Sequence, residues 1–112
     1  MIYPHVIRLR EPWQRVAAEG AVSHRRAFNC PTGLDERERV WVVIRDVPAP
    51  GVVSLNGCHV GRLTGGGQLG EFDVTDHLAS RNRLAIDVET DNPHATGKLL
   101  GEVQLEIRLA NG

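Results

Sequence analysis

The residues best suited to bind a small polar ligand form one loop, Thr90-Asp91-Asn92-Pro93-His94. Carboxylate, amide and imidazole groups donate and accept hydrogen bonds in fixed directions, which is the chemistry that holds sugar hydroxyls. The same residue types also form ordinary turns before a proline. We therefore take Asp91, Asn92 and His94 as candidate ligand-binding residues, with a plain turn as the alternative.

A sugar also has an apolar C–H face, which an exposed aromatic ring can cover. Phe28, Trp41 and Phe72 lie in patterns typical of a core, which leaves Tyr3 and Trp13. Trp13 is the candidate platform, and its alternative role is packing under the N-terminal strand. So few rings predict weak sugar binding, with a dissociation constant in the millimolar to high micromolar range and a free energy of about 4 to 6 kcal/mol.

No spacing in the chain is typical of a metal or catalytic centre. The five histidines show neither HxH nor HExxH spacing, and Cys30 and Cys58 form no CxxC pair. We expect two free thiols, no metal and no cofactor, although Asp87 or Asp91 with backbone carbonyls leaves a calcium ion open. Neither a Ser-His-Asp set nor a pair of carboxylates is apparent, so the chain is not expected to be an enzyme.

The glycine cluster Gly65-x-Gly67-x-x-Gly70 matches the dinucleotide-binding fingerprint only in form. Such a fingerprint must open a helix, but the following residues 71–74 have the pattern of a strand. The cluster is therefore interpreted as a loop.

Alternating apolar and polar residues predict strands along most of the chain. Residues 103–109 and 83–89 alternate with a period of two, as expected of strands with one wet face. Residues 40–44 are instead continuously apolar, which predicts a central strand covered on both faces. About eight short strands with regular turns indicate an all-β fold, and we predict an antiparallel two-sheet jelly-roll sandwich in a single domain, 1–112.

The dipeptide Asn56-Gly57 predicts a two-residue type I′ hairpin turn. Such a turn gives the pairs Leu55–Cys58, Ser54–His59 and Val53–Val60. This register predicts that Cys58 is a small core residue and that His59 points to the opposite face, so the two form no reactive dyad.

Three further interpretations concern polar residues. Thr75 is expected to cap one helical turn, with Leu78 reaching inward. Arg26 shares the face of Phe28, so we expect partial burial and a carboxylate partner, Asp73 or Asp87. Residues 35–39, DERER, are expected to form a solvated, self-paired charged loop.

Composition narrows the function classes. The net charge of −1 gives no electrostatic attraction to nucleic acid or to an anionic membrane, and no segment has the length and apolarity of a transmembrane span. Without a signal-peptide pattern, the expected location is the cytoplasm if the chain is complete; it is undetermined if the chain was cut from a larger protein.

An ordered set of short motifs runs through the chain: Val53-x-Leu55-Asn56-Gly57-x-x-Val60-Gly61, Gly66-Gly67, Phe72-Asp73-Val74-Thr75-x-x-Leu78 and Asn82-x-Leu84-x-Ile86-x-Val88. With Arg26-Ala27-Phe28 and Val40 to Ile44 upstream, this set resembles the galactose-binding-like β-sandwich domain at the N-terminus of glycoside hydrolase family two enzymes. The resemblance covers roughly residues 13 to 109.

The resemblance implies a jelly roll with a non-catalytic role. In such enzymes the domain supports a separate catalytic barrel, and related domains bind carbohydrates. We therefore expect a binding module that recognises a carbohydrate weakly or supports a partner protein domain. The alternative is a structural β-sandwich that forms homo-oligomers, such as a homodimer, through an apolar sheet face or an edge strand and has no small-molecule ligand.

Overall fold

The computed structural model describes residues 2–93 and 100–110, and the chain forms almost only antiparallel strands. In chain order the strands are β1 (His5–Arg8), β2 (Gln14–Ala18), β3 (Ala21–Asn29), β4 (Glu38–Val47), β5 (Gly51–Leu55), β6 (Cys58–Leu63), β7 (Gln68–Asp73), β8 (Arg81–Glu89) and β9 (Val103–Leu109). A 3-10 helix, Thr75–His77, joins β7 to β8. Within these ranges, no helix has the length and apolarity needed to cross a membrane.

The strands form two sheets. The four-stranded sheet has the order β1-β9-β4-β7, and the five-stranded sheet has the order β2-β3-β8-β5-β6. Every pairing is antiparallel. Buried residues of both sheets form one hydrophobic cluster, because the two inner faces pack on each other. The all-β sandwich predicted from the sequence is confirmed.

The central position of the apolar run in β4 is also confirmed. β4 lies between β9 and β7. Val42 and Ile44 face the core, and Val43 is only 1% exposed on the opposite face. Cover on both faces explains why this strand shows no polar alternation.

The β5–β6 hairpin has the predicted turn but not the whole predicted register. Asn56 and Gly57 have φ angles of 54° and 81°, as a type I′ turn requires. The pairs Leu55–Cys58 and Ser54–His59 are present. The third prediction was wrong: Val53 pairs with Gly61 instead of Val60, because an extra residue in β6 forms a β-bulge.

The predicted core position of Cys58 was wrong as well, since this residue is exposed. β6 is the outermost strand of its sheet, and Cys58 is its first residue, beside the turn. At that corner of the sandwich, a side chain on the inner face of the sheet is still exposed to solvent. Both cysteines are free thiols, as expected.

The helical turn is shorter than predicted, and Thr75 is not its cap. Thr75 is the first residue inside the turn. Its backbone N–H and its hydroxyl both donate to Asp73 Oδ1, at 3.0 and 2.7 Å, and its hydroxyl oxygen accepts from the backbone N–H of Val40 at 2.8 Å. Thr75 therefore ties the turn to β4, while Leu78 packs against the core as predicted.

The charged segment before β4 is only partly the solvated loop that was predicted. Arg37 and Asp35 form an exposed ion pair at 3.9 Å. Glu38 is buried, however, and accepts hydrogen bonds from the hydroxyl of Tyr3 at 2.8 Å and from the backbone of Asp35 at 2.9 Å. Glu38 lies on the inward face of β4 together with Val40. The charge pattern of residues 35–39 did not predict this position.

Candidate ligand-binding groove

An open groove of about 810 Å³ crosses the outer face of the five-stranded sheet. Its floor includes small side chains of three adjacent strands, Ala27 of β3, Ala85 of β8 and Ser54 of β5. Trp13 stands at the rim, just before the edge strand β2. A wide, shallow floor of this kind leaves room for an extended ligand.

Strand register decides which side chains face this groove. Phe28 on β3 and Leu84 and Ile86 on β8 belong to the core, so the residues between them point outward. These outward residues are Arg25 and Ala27 on β3, and Arg81, Arg83 and Ala85 on β8. Alternation therefore places three guanidinium groups on the same side of the sheet as the small-residue floor.

The groove is lined by positive charge. Arg25, Arg26, Arg81 and Arg83 line it, and no aspartate or glutamate does. Within residues 2–93 and 100–110, none of these four arginines forms an ion pair. Those that make hydrogen bonds donate to neutral acceptors, for example Arg25 to Ser23 Oγ at 3.1 Å.

The outer face of the four-stranded sheet is different. There Arg39 pairs with Asp73 at 2.9 Å, and Arg108 pairs with Glu71 at 2.7 Å and with Glu106 at 2.9 Å. The guanidinium of Arg108 also lies 4.5 Å from the ring centre of Trp41, within the range of a cation–π contact. The charges of Arg39 and Arg108 are thus compensated by carboxylates, whereas no ion pair holds the arginines that line the groove in the described part of the chain.

The predicted carboxylate partner of Arg26 was wrong. Asp73 pairs with Arg39, and Asp87 points outward from β8 whereas Arg26 has the inward parity of β3. The guanidinium of Arg26 instead donates to two backbone carbonyls, of Arg10 at 2.8 Å and of Ala27. Its partial burial was predicted correctly, and neutral acceptors satisfy it.

Two asparagines hold the end of the groove in place. Asn56 Oδ1, in the hairpin turn, accepts from the backbone N–H of Arg83 at 2.9 Å. Its amide donates to Asn82 Oδ1 at 3.0 Å, and Asn82, which is fully buried, also binds both backbone groups of Ala79. The turn is therefore fixed to β8, and the backbone of Arg83 is held in place by the turn.

Trp13 is held in a fixed orientation. Its indole N–H donates to the carbonyl of Leu9 at 3.0 Å, and its backbone N–H donates to Glu11 Oε2 at 2.7 Å. The ring is half-buried and packs against the hydrophobic cluster. Trp13 thus combines the packing role and the rim position that the sequence posed as alternatives.

Trp13 also lines a smaller cavity of about 240 Å³ where the chain passes from one sheet to the other. His24, on the inward face of β3, lines this cavity and is only 2% exposed. Its Nε2 has no hydrogen-bond partner among the described residues. Burial lowers the pKa of His24 and the positive charge of Arg15 lowers it further, against the opposing charge of Asp87. The imidazole is therefore neutral at pH 7 and offers one unused polar atom.

The other candidate residues lie elsewhere. Asp91 and Asn92 are exposed just after β8, and Asp91 lines a separate depression of the surface. This end of β8 lies beside Ala21 of β3, whereas Trp13 precedes Gln14, the partner of Arg25. Four residues of β3 separate the two ends, about 13 Å along the strand.

The loop itself has the features of a turn. The backbone N–H of Asn92 donates to the hydroxyl of Thr90 at 3.2 Å, a contact typical of turns. The third candidate of the loop, His94, lies outside the described residues. The structure thus does not bring Asp91 and Asn92 to Trp13.

Two other sequence features have simple structural outcomes. The glycine cluster leads into strand β7, not into a helix, as predicted. In the described part of the chain, no group of three or more His, Cys, Asp or Glu side chains is placed to hold a metal ion.

The sequence analysis considered Arg26 alone among the arginines of the groove and missed Arg25, Arg81 and Arg83. The signal that identifies them is alternation: Arg25 and Ala27 have one parity on β3, and Arg81, Arg83 and Ala85 have one parity on β8. Only the antiparallel pairing of β3 with β8 shows that both sets lie on one face.

Comparisons with known proteins identify the fold. No family model matches the chain, and no curated protein matches it either. Among solved structures, an FMN-binding beta-glucuronidase from Facaelibacterium prausnitzii L2-6 superposes with a TM-score of 0.77 at 20% identity, over 93% of this chain and 22% of that one. A Bifidobacterium dentium beta-glucuronidase complexed with coumarin-3-O-glucuronide gives 0.67 at 21% identity, over 85% and 22%.

A glycosyl hydrolase family 2 member from Bacteroides cellulosilyticus gives a TM-score of 0.65 at 18% identity, over 79% of this chain and 12% of that one. The chain thus spans about a fifth or less of the length of these enzymes. At these identities the likeness concerns the fold. The two-sheet sandwich is thus similar in fold to a part of glycoside hydrolase family two enzymes, as the ordered motifs predicted.

Proposed function

We propose that this chain is a non-catalytic module that binds carbohydrate weakly in the groove beside Trp13. The observation that carries the proposal is the fixed indole at the rim of a groove with a small-residue floor. Such a ring covers the apolar face of a sugar without losing conformational entropy on binding. The surrounding guanidinium and hydroxyl groups supply donors for sugar oxygens.

The comparisons support a carbohydrate ligand. The similar structures are named as glucuronidases or glycosyl hydrolases, and this chain matches only a small part of each. A non-catalytic role is supported by the residues of the groove, because glycoside hydrolysis normally needs two carboxyl groups and none lines it. Within the described ranges, no histidine side chain is hydrogen-bonded to a carboxylate.

The test is a glycan array followed by NMR titration with the glycans that give signal. We expect Trp13→Leu to weaken binding about 5- to 150-fold, since loss of one stacking ring costs roughly 1–3 kcal/mol where bases stack on aromatic side chains. Trp41→Leu is the matched control, because Trp41 lies on the four-stranded sheet beneath Arg108. Equal binding by wild type and Trp13→Leu contradicts the groove, and an effect of Asp91→Ala instead assigns binding to the loop after β8.

A structural homo-oligomer is the second candidate, and one observation favours it. Val6 and Leu69, on the outward face of the four-stranded sheet, are 42% and 48% exposed. Sedimentation from micromolar to millimolar concentration separates the two candidates. A dimer that Val6→Lys or Leu69→Lys disrupts, combined with no glycan signal, supports oligomerisation in place of binding.

A further inference from the structure

We infer that the ligand of the groove is an acidic oligosaccharide whose sugar rings carry carboxylates. This inference rests on the proposed function and specifies its ligand class. It follows from the charges that line the groove, which are four arginines and no carboxylate, and not from the total charge, which is −1.

The first step concerns compensation. Carboxylates are slightly more numerous than guanidinium and ammonium groups in the whole chain. Arg39 and Arg108 on the four-stranded sheet each reach at least one carboxylate. The four arginines of the groove reach none among the described residues. Backbone carbonyls occupy the guanidinium of Arg26, and the charges of Arg25, Arg81 and Arg83 remain available.

The second step concerns spacing. Arg81 and Arg83 lie two residues apart on one face of β8, which is about 7 Å along the strand. This spacing of the two backbone positions is comparable with the screening length of about 8 Å at physiological salt, so the two guanidinium groups repel each other when they lie side by side. An anion bound between them removes that repulsion as well as forming new hydrogen bonds.

The third step concerns ligand shape. A guanidinium group presents a planar pair of donors that matches a carboxylate in a bidentate contact. Ala27, Ala85 and Ser54 keep the floor low enough for sugar rings to lie across it. Trp13 at the rim provides an aromatic face, which would have no role for a ligand that binds through its charges alone. Together these features favour a uronate oligosaccharide over an acidic peptide. The single aromatic residue of the groove lining also favours it over a single-stranded nucleic acid, whose successive bases stack on several aromatic side chains.

The experiment measures the affinities of wild type for a galacturonate trimer and for a neutral trisaccharide. We expect the galacturonate trimer to bind at least tenfold more tightly at low salt, with the advantage falling as salt is added. Arg25→Gln combined with Arg83→Gln should remove this advantage, so that the acidic and the neutral trimer bind the double variant with equal affinity. Arg45→Gln is the control, because Arg45 is exposed on the four-stranded sheet and forms no ion pair in the described ranges.

The outcomes separate this inference from the proposed function. Equal affinity for acidic and neutral trimers, with no effect of the double variant, overturns the inference and leaves the proposed function standing. No binding of either trimer, or tighter binding of poly-glutamate or single-stranded DNA, overturns both. Tighter binding of a sulfated trisaccharide overturns the assignment to carboxylates. Thermal unfolding of each variant confirms that the fold is intact.

Discussion

At the scale of single residues, the motif residues of this chain hold the backbone in place. Asn82 is 0% exposed, and both atoms of its amide group are used. Its Oδ1 accepts from the backbone N–H of Ala79 at 2.8 Å and from Asn56, and its Nδ2 donates to the carbonyl of Ala79 at 2.9 Å. One buried side chain thereby joins the helical turn, the hairpin turn and β8.

Asn82→Ala should destabilise the protein strongly. The change removes three hydrogen bonds that a fully buried amide makes, each worth about 0.5–1.5 kcal/mol. We expect the free energy of unfolding to fall by about 3 kcal/mol in urea denaturation. Asn29→Ala is the control, since Asn29 is exposed and only contacts Arg81 at 3.3 Å. Similar losses for the two variants contradict a special role for Asn82.

At the scale of elements, the β5–β6 hairpin shows what local chemistry determines and what it leaves open. Asn56-Gly57 set the turn and the first two pairs. The bulge beyond them depends on a contact with the other sheet: Gly61 lies against the ring of Phe72, which leaves no room for a Cβ atom. The register of β6 thus reflects packing on β7 as well as the turn.

The turn predicts how much different substitutions at Gly57 lower the stability of the protein. Its φ of 81° is open to glycine, tolerable to asparagine and strained for a β-branched residue. We expect Gly57→Val to lower the free energy of unfolding by about 1–2 kcal/mol, and Gly57→Asn to lower it by less than half as much. Because no atom lies within 4 Å of a Cβ at this position, steric clash does not complicate the comparison. Equal stability of the two variants is the result that counts against the turn.

At the scale of the whole molecule, two buried or half-buried groups determine how stability depends on pH. Burial lowers the pKa of His24 below its usual 6.5, so the unfolded chain takes up a proton that the folded chain resists. Burial raises the pKa of Asp73, but the hydrogen bonds from Arg39 and Thr75 outweigh this effect and lower it below 3.8. In both cases stability is present at higher pH and lost on acidification.

We therefore expect two declines of the melting temperature. The first begins as the pH falls below 6.5 and belongs to His24; the second begins below 3.8 and includes Asp73. His24→Gln should remove the first decline, while His59→Gln, at an exposed position of β6, should keep it. A melting temperature of the wild type that stays constant from pH 8 to pH 5 contradicts the first assignment.

Much of this protein follows from the sequence by itself. Alternation, the continuous apolar run of β4 and the Asn-Gly turn determine strands, their inward faces and the two-sheet class, because these depend on local geometry and on the burial of apolar side chains. The errors at Cys58, Thr75 and Arg26 have another origin. Each depends on a partner or cover supplied by a strand distant in sequence, which periodicity does not specify.

The candidate site was decided by the tertiary structure. Trp13 was identified from the sequence, but its companions are arginines of β3 and β8, about 55 residues apart in the chain. Antiparallel pairing in one register gathers Arg25, Arg81 and Arg83 beside the small-residue floor, whereas Arg39 and Arg108 meet carboxylates on the four-stranded sheet. A net charge summed over the sequence conceals such a separation, because only the fold assigns each charge to a surface.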